Sequence, residues 1–178
     1  MHPKTTALLA MFALTAGSAT AAKAETPSQH LLPQSIQVAT QDTMEQLTDL
    51  AKRKGPVGAA AKQALEVYSK HAAREREFIL PPLTLLPYLA DGKVTPDMAW
   101  ALAMTDRVRA EREVIFNEHA QLTDALNHLA DVASKAHDKE AEDFARFAAA
   151  DDLSDMEILE PTLIIINDIL RAKLPAAH

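Results

Sequence analysis

Residues that stop helices are sparse in this chain, and their positions limit what it can fold into. The 178 residues contain four glycines and ten prolines, and apolar side chains between them recur at the three- and four-residue spacing of a helix. Runs of β-branched residues, which strands favour, are rare. The sequence therefore predicts an all-α protein. The main breaks are Gly55-Pro56, Pro81-Pro82, Pro87, Asp91-Gly92, Thr95-Pro96 and the stretch near His137-Asp138.

These breaks divide the chain into four long helices. The first is predicted from about Pro33 to Lys54 and the second from Pro56 to Leu80. The third is predicted from Thr95, a good N-cap, to about Ala136. The fourth runs from Asp138 to Lys173, and Pro161 is expected to kink it or to separate its last part. Long helices with mostly short links favour an antiparallel up-down-up-down four-helix bundle.

The first 24 residues differ from the rest. Lys4 precedes an uncharged run from Thr5 to Ala22, which is short and rich in small residues for a membrane span. The run ends in Ala22-Lys23-Ala24, a small-x-small cleavage pattern. We expect residues 1–24 to be a signal peptide. Residues 25–178 would then form one exported domain, with the periplasm as its expected location and no membrane attachment after cleavage.

Composition excludes several classes of function. The formal net charge is −7 and becomes more negative when the two lysines of the signal peptide are removed, so nucleic acids and anionic membranes are poor partners. Cysteine is absent, which excludes thiolate metal sites, iron–sulfur clusters and cysteine nucleophiles. The sequence also contains no glycine-rich phosphate loop and no G-x-S-x-G nucleophile motif.

Polar residues interrupt the apolar faces of three helices. His71 and Glu75 lie one turn apart on the buried face of the second helix, and His119 lies within the apolar face of the third. Asp151 and Asp155 have the same one-turn spacing on the predicted buried face of the fourth. Buried ionised groups are costly unless they are paired or bind a metal. Three carboxylates and two imidazoles converging in one bundle predict a non-haem metal site.

Two details leave alternatives open. A rotation of the fourth helix by one position would place Asp152 inward instead of the predicted aspartates. Arg112 falls on the same predicted face as His119, and would create an ion-pair network in place of the metal if it neutralised Glu75. His128, nine residues after His119, is predicted to face water on the opposite side of the helix.

Three stretches of the sequence resemble the hemerythrin-like (HHE cation-binding) family. HAAREREFILPPLTLLPYLADGKVTPDMA is similar to the second helix of that family and the connector after it. NEHAQLTDALNHLA is similar to the third helix, and DDLSDMEILEPTLIIINDIL is similar to the fourth. The likeness covers most of residues 35–173. It implies a non-haem di-iron centre that binds oxygen, related small molecules or iron itself.

The resemblance also assigns residues, with departures. It matches His71, Glu75 and His119 to ligands of the family. The first-helix histidine of the family falls on Thr40, and the fourth-helix histidine and glutamate fall on the two predicted aspartates, Asp151 and Asp155. These departures favour a carboxylate-rich site, or a site that has decayed, over a reversible oxygen carrier of the histidine-rich type.

Three functions remain open on this basis. The favoured one is an exported protein that binds non-haem iron, with a role in binding or sensing oxygen, nitric oxide or iron and without catalysis. The second is a di-iron oxidase or peroxidase-type enzyme, since an open position beside Thr40 would allow oxygen to be activated. The third is a bundle that binds no metal and acts through a protein partner.

If residues 1–24 are a signal peptide, the exported protein should begin at Glu25 or within a few residues of it. N-terminal sequencing of protein recovered from outside the cytoplasm measures this directly. An intact Met1 on a cytoplasmic species would contradict the prediction.

Overall fold

Helices form nearly all of the chain that the structure describes. The computed structural model describes residues 32–175, except for the side chains of Asp155 and Met156, and it contains no strand in that range. The all-α prediction is therefore confirmed, while the predicted signal peptide lies outside the described residues. The helices are α1 (Gln34–Ala51), α2 (Pro56–Arg74), α3 (Leu86–Ala90), α4 (Trp100–Ala110), α5 (Arg112–Lys135) and α6 (Lys139–Lys173). A π-helical turn spans Glu75–Ile79, and 3-10 turns span Pro81–Leu85 and Pro96–Ala99.

The start of α2 follows from two adjacent residues. Gly55 has a φ of 90°, which side chains with a Cβ rarely adopt, and Pro56 occupies the first helical position, where its missing N–H is not needed. The predicted helix then continues into the wider π-helical turn. This turn buries Glu75, Phe78 and Ile79 together, and π-helical turns within helices are frequent at functional sites.

The predicted third helix is two helices, separated at Glu111. Its φ and ψ of −100° and 13° depart from helical values. Its carboxylate accepts a hydrogen bond from Arg107 Nε at 2.7 Å and also pairs with Arg74 of α2, so contacts between helices stabilise the break. Arg112, predicted to be buried, follows the break with 70% of its side chain exposed and pairs with Glu160 of α6. The predicted burial of Arg112 is therefore wrong, and its partner is not Glu75 of the π-helical turn.

The predicted fourth helix is confirmed as one continuous element of 35 residues. The Asp138 carboxylate caps its start by accepting a hydrogen bond from the Ala141 N–H at 3.2 Å. The helix is not divided at Pro161, because Leu163, Ile166 and the residues that follow remain packed in the core and outweigh the missing backbone hydrogen bond. Within the described range, no helix combines the length and apolar character that a membrane span requires.

The buried face of α6 lies one position away from the predicted one. Ile158, which lies seven residues after Asp151 and so on the predicted face with it, is 62% exposed, whereas Asp152 is buried. The prediction that Asp151 lies on the buried face is therefore wrong, since its side chain is exposed. The physical reason is that Ala145 and Ala149 lie in the core, where small side chains let helices approach closely although their hydrophobic signal is weak.

Two apolar clusters form the core, and the polar residues lie between them. The first cluster consists mainly of leucines and alanines from α1, α2, α5 and the first half of α6. The second joins the π-helical turn, the connecting segments, α4 and the second half of α6. His71 and Glu75 separate the two clusters along α2, and His119 and Asp152 do so along α5 and α6. The fold therefore places polar groups from three helices at one level.

A separate buried polar contact joins α4 to α6. Asn167 is 1% exposed, and its Nδ2 donates hydrogen bonds to Thr105 Oγ1 at 2.7 Å and to Asp106 Oδ1 at 3.0 Å. Arg171 donates to both carboxylate oxygens of Asp106 at 2.6 Å and to Asn167 Oδ1 at 3.1 Å. These directional contacts fix the register of α6 against α4.

Replacing Asn167 with alanine should lower the free energy of unfolding by about 1–3 kcal/mol, because buried hydrogen-bonding groups lose their partner. Urea unfolding measures the change. The matched control is Asn127→Ala on the exposed face of α5, which should change the free energy of unfolding by less than about 0.5 kcal/mol. Equal effects of the two substitutions would show that the Asn167 contacts do not contribute to stability.

Candidate metal centre

Three of the predicted site residues converge between the two apolar clusters. His71 is 5% exposed, Glu75 is 7% exposed and His119 is 3% exposed. One ligand atom from each of them lies within 4.8 Å of the other two. His71 Nε2 lies 3.3 Å from Glu75 Oε1, and the two imidazole rings meet edge to face with centroids 4.5 Å apart. The predicted convergence of these residues is confirmed.

A fourth buried polar group comes from Asp152 on α6. Its Oδ1 lies 2.8 Å from His119 Nδ1 and 3.6 Å from His71 Nε2. Its Oδ2 accepts a hydrogen bond from Thr123 Oγ1 at 3.1 Å. Asp152 therefore contacts both histidines, which orients the imidazole of His119 and adds a second buried carboxylate to the centre.

The two predicted aspartates of α6 have different outcomes. Asp151 does not reach the buried centre, but its exposed side chain lines a cleft that leads to it. The side chain of Asp155 lies outside the described part of the chain, so its predicted role remains a prediction.

The spacing of the donor atoms fits a metal ion. Two ligands about 2.0–2.2 Å from an ion, at angles of about 90–110°, lie about 2.8–3.6 Å apart. The distance of 3.3 Å between His71 Nε2 and Glu75 Oε1 falls within that range. Two histidines with carboxylate and no thiolate form the donor set that non-haem iron favours. The residues present therefore fit such an ion.

The pKa of His71 is affected by the negative charges that surround it. Burial by itself lowers the pKa of His71. The hydrogen bond and charge of Glu75, with the charges of Asp152 and Glu118, outweigh it and raise the pKa above its ordinary value. A site that favours an imidazolium in the absence of metal also favours a cation in its place, so protons and metal should compete for it.

Arginine–carboxylate pairs close one side of the centre. Arg74 Nε lies 2.7 Å from Glu118 Oε2, in an ion pair whose angles are not those of an aligned hydrogen bond. Arg107 donates to Glu77 at 2.7 Å, and its guanidinium lies 3.9 Å from the ring centre of Phe78. These contacts hold the π-helical turn against α4 and α5 and concentrate guanidinium charge on that side.

Another side opens into a cleft of about 260 Å³ between α1, α2 and α6. Thr40, the predicted counterpart of the first-helix histidine of the family, is half-buried and lines this cleft. The other polar residues of its lining are Ser35 and Thr43 of α1, Tyr68, His71 and Glu75, and Asp151 and Asp152 of α6. The lining from α1 therefore offers hydroxyl groups where the family has an imidazole.

Tyr68 reports the electrostatic character of the cleft. Burial raises its pKa, hydrogen bonding to Thr43 and Thr40 opposes the rise, and the charges of Glu75 and Asp151 add to it. Its hydroxyl lies 3.5 Å from the carbonyl oxygen of Thr40, a long contact. The carboxylates of the cleft thus oppose the ionisation of the half-buried tyrosine beside them.

Some residues of the centre carried little signal in the sequence. The sequence pattern gives Thr123 and Glu118 no role, and it offers Asp152 only as an alternative to the predicted aspartates. The signal for Asp152 is its spacing, since it lies seven residues after Ala145 and eleven before Leu163 on one helical face. That face is recognisable only if alanines are counted as core residues.

Comparison with known proteins identifies no relative. No protein family, curated protein or solved structure matches the chain. The function is therefore argued from the geometry and chemistry of the centre.

In protein without metal, His71 should make the free energy of unfolding depend on pH. A pKa that is raised in the folded state means that the folded chain binds the proton more tightly than the unfolded chain. This stabilisation is complete below the unfolded value of about 6.5 and is lost as the pH rises through the raised folded value. Urea unfolding of chelated wild type and His71→Gln, from about pH 5 to pH 9, should show this loss in the wild type alone.

The matched control for this measurement is His128→Gln, because His128 is exposed on α5, as predicted. Its pH profile should follow the wild type. The titratable groups that face His71 are Glu75 from the π-helical turn, His119 and Glu118 from α5, and Asp152 from α6. A His71→Gln profile with the slope of the wild type would assign the effect to one of these groups instead.

Proposed function

We propose that this protein is an exported, hemerythrin-like four-helix bundle that binds one non-haem iron ion through His71, Glu75 and His119. The observation that carries the proposal is the approach of these three buried donors to within 4.8 Å of one another. Buried ionisable groups are costly unless they are paired or bind a metal, and here they come from two helices at the junction of two apolar clusters.

The packing of the helices supports the bundle topology in this proposal. α1 packs on α2, α2 packs on α5, and α5 packs on α6. Short links join α1 to α2 and α5 to α6, as in antiparallel neighbours. The packing of α4, which precedes α5, on α6 also supports the proposed up-down-up-down arrangement.

Each residue of the centre has a distinct role in the proposal. His71, Glu75 and His119 hold the ion, and this donor set leaves further positions for an exchangeable ligand. Asp152 accepts a hydrogen bond from His119 Nδ1 and so fixes the tautomer and orientation of that ring. A bound iron ion would supply a site for oxygen, nitric oxide or a related small molecule. We propose binding or sensing of such a molecule as the function.

Export is proposed from the composition of residues 1–24. An exported bundle without cysteine has no disulfide to stabilise it. A ligand that binds the folded chain alone would then add to its stability.

The direct test is elemental analysis with an absorption spectrum, on protein exported and purified without chelator. The proposal expects about one iron ion per chain. Protein that binds no metal under any loading condition would favour the bundle that acts through a protein partner. Measured turnover of ferrous iron or peroxide would favour the oxidase or peroxidase reading.

Replacing His119 with alanine should lower the bound metal by at least about tenfold, while His128→Ala should leave it unchanged. The two histidines belong to the same helix, but His119 is buried in the centre and His128 is exposed. Metal content after equilibrium dialysis measures both, with circular dichroism to show that each variant is folded. Equal metal content in the two variants would remove His119 from the site.

Asp152→Asn should lower the metal affinity by about 10–100-fold, because the partner that orients a ligating histidine typically contributes that much. Asp124→Asn, on the exposed face of α5, is the matched control. An unchanged affinity in Asp152→Asn would show that Asp152 has no part in holding the metal.

A further inference from the structure

The cleft beside the centre joins solvent to buried ligands. Its deep end is formed by His71, Glu75 and Asp152, which are each less than 10% exposed, and its outer part includes the exposed Asp151. Its volume of about 260 Å³ holds several water molecules. A solvated ion can therefore approach the buried donors without unfolding a helix.

Carboxylates dominate the charge of this cleft. Three carboxylates line it, those of Glu75, Asp151 and Asp152, and none of the described residues that line it is a lysine or arginine. The hydroxyl groups of Ser35, Thr40, Thr43 and Tyr68 also line it and can replace waters of a hydrated cation. A cleft lined by one sign of charge raises the local concentration of the opposite ion and its rate of association.

The other approaches to the centre are unfavourable for a cation. The side that faces α4 and α5 carries the guanidinium groups of Arg74 and Arg107, already paired with carboxylates. A small pocket of about 30 Å³ reaches His119 between α5 and α6, but apolar side chains such as Val108 and Leu163 line most of it. Its carboxylate, that of Glu160, is already paired with Arg112. A hydrated cation would lose its water there without replacement ligands.

We propose that the acidic cleft between α1, α2 and α6 is the route by which a divalent cation reaches the centre, with Asp151 as the residue that attracts it. This inference rests on the proposed function, and it adds a role for a carboxylate that is not a ligand. Asp151 acts on the rate at which the metal arrives, while the buried donors determine the rate at which it leaves.

The test is stopped-flow mixing of the chelated, folded protein with cobalt(II), whose absorption changes on coordination. At low ionic strength, Asp151→Asn should slow association about three- to tenfold and Asp151→Lys about ten- to a hundredfold. Salt should reduce both differences, because it screens charges on an exposed surface. The dissociation rate should change by less than about threefold, since Asp151 does not contact the ion, so the affinity should weaken by about the same factor as the association rate.

Asp131→Asn and Asp131→Lys are the matched controls, because Asp131 is exposed on α5 and lies outside the lining of the cleft. These variants change the net charge of the protein by the same amount as the Asp151 variants do. They should nevertheless associate with cobalt(II) at nearly the rate of the wild type. Equal rates in the Asp151 and Asp131 variants would overturn the proposed route while leaving the metal centre intact. A wild-type protein that takes up no cobalt(II) would overturn both proposals.

Discussion

The rest of the structure depends on the contact between ionisable side chains in the interior of the bundle. Each buried donor in the centre is satisfied by another: His71 by Glu75, and His119 by Asp152, which Thr123 also supports. In a poorly solvated interior, loss of one partner leaves the other without compensation. The helices that supply these residues must therefore stay at one relative height. The apolar clusters on either side need only supply leucine and alanine packing, because the polar contacts set the register.

The surroundings of the centre divide into a closed side and an open side. Arginine–carboxylate pairs connect α2 and the π-helical turn to α4 and α5, and Arg74 and Arg107 are the cations in them. On the side of α1, hydroxyl groups and carboxylates line a cleft instead. The closed side thus fixes the π-helical turn that carries Glu75, and the open side exposes the candidate ligands to small molecules and ions. A small molecule can bind at a metal when the protein side chains that hold the metal are preorganised and one coordination position stays accessible.

The sequence predicted more of this structure on α2 and α5 than on α6. On α2 the stripe that includes His71 and Glu75 is confirmed, because tyrosine, phenylalanine and the breaks around them identify the buried face. On α6 the predicted buried face included Asp151, which is exposed, and the inward residue is Asp152. Nothing local in the sequence shows that Ala145 and Ala149 are core residues. The break at Glu111 also depends on arginines of two helices, a contact that periodicity along one helix cannot reveal.

The most direct test of the central claim is X-ray absorption at the metal edge, on protein purified without chelator. The energy of the edge identifies the element, and the scattering from outer shells counts the imidazole rings that bind it. A centre formed by His71, Glu75 and His119 predicts an iron edge, nitrogen and oxygen donors at about 2.0–2.2 Å and scattering from two imidazoles. Bound metal without imidazole scattering would contradict this centre, and so would a spectrum dominated by a second metal ion at short distance.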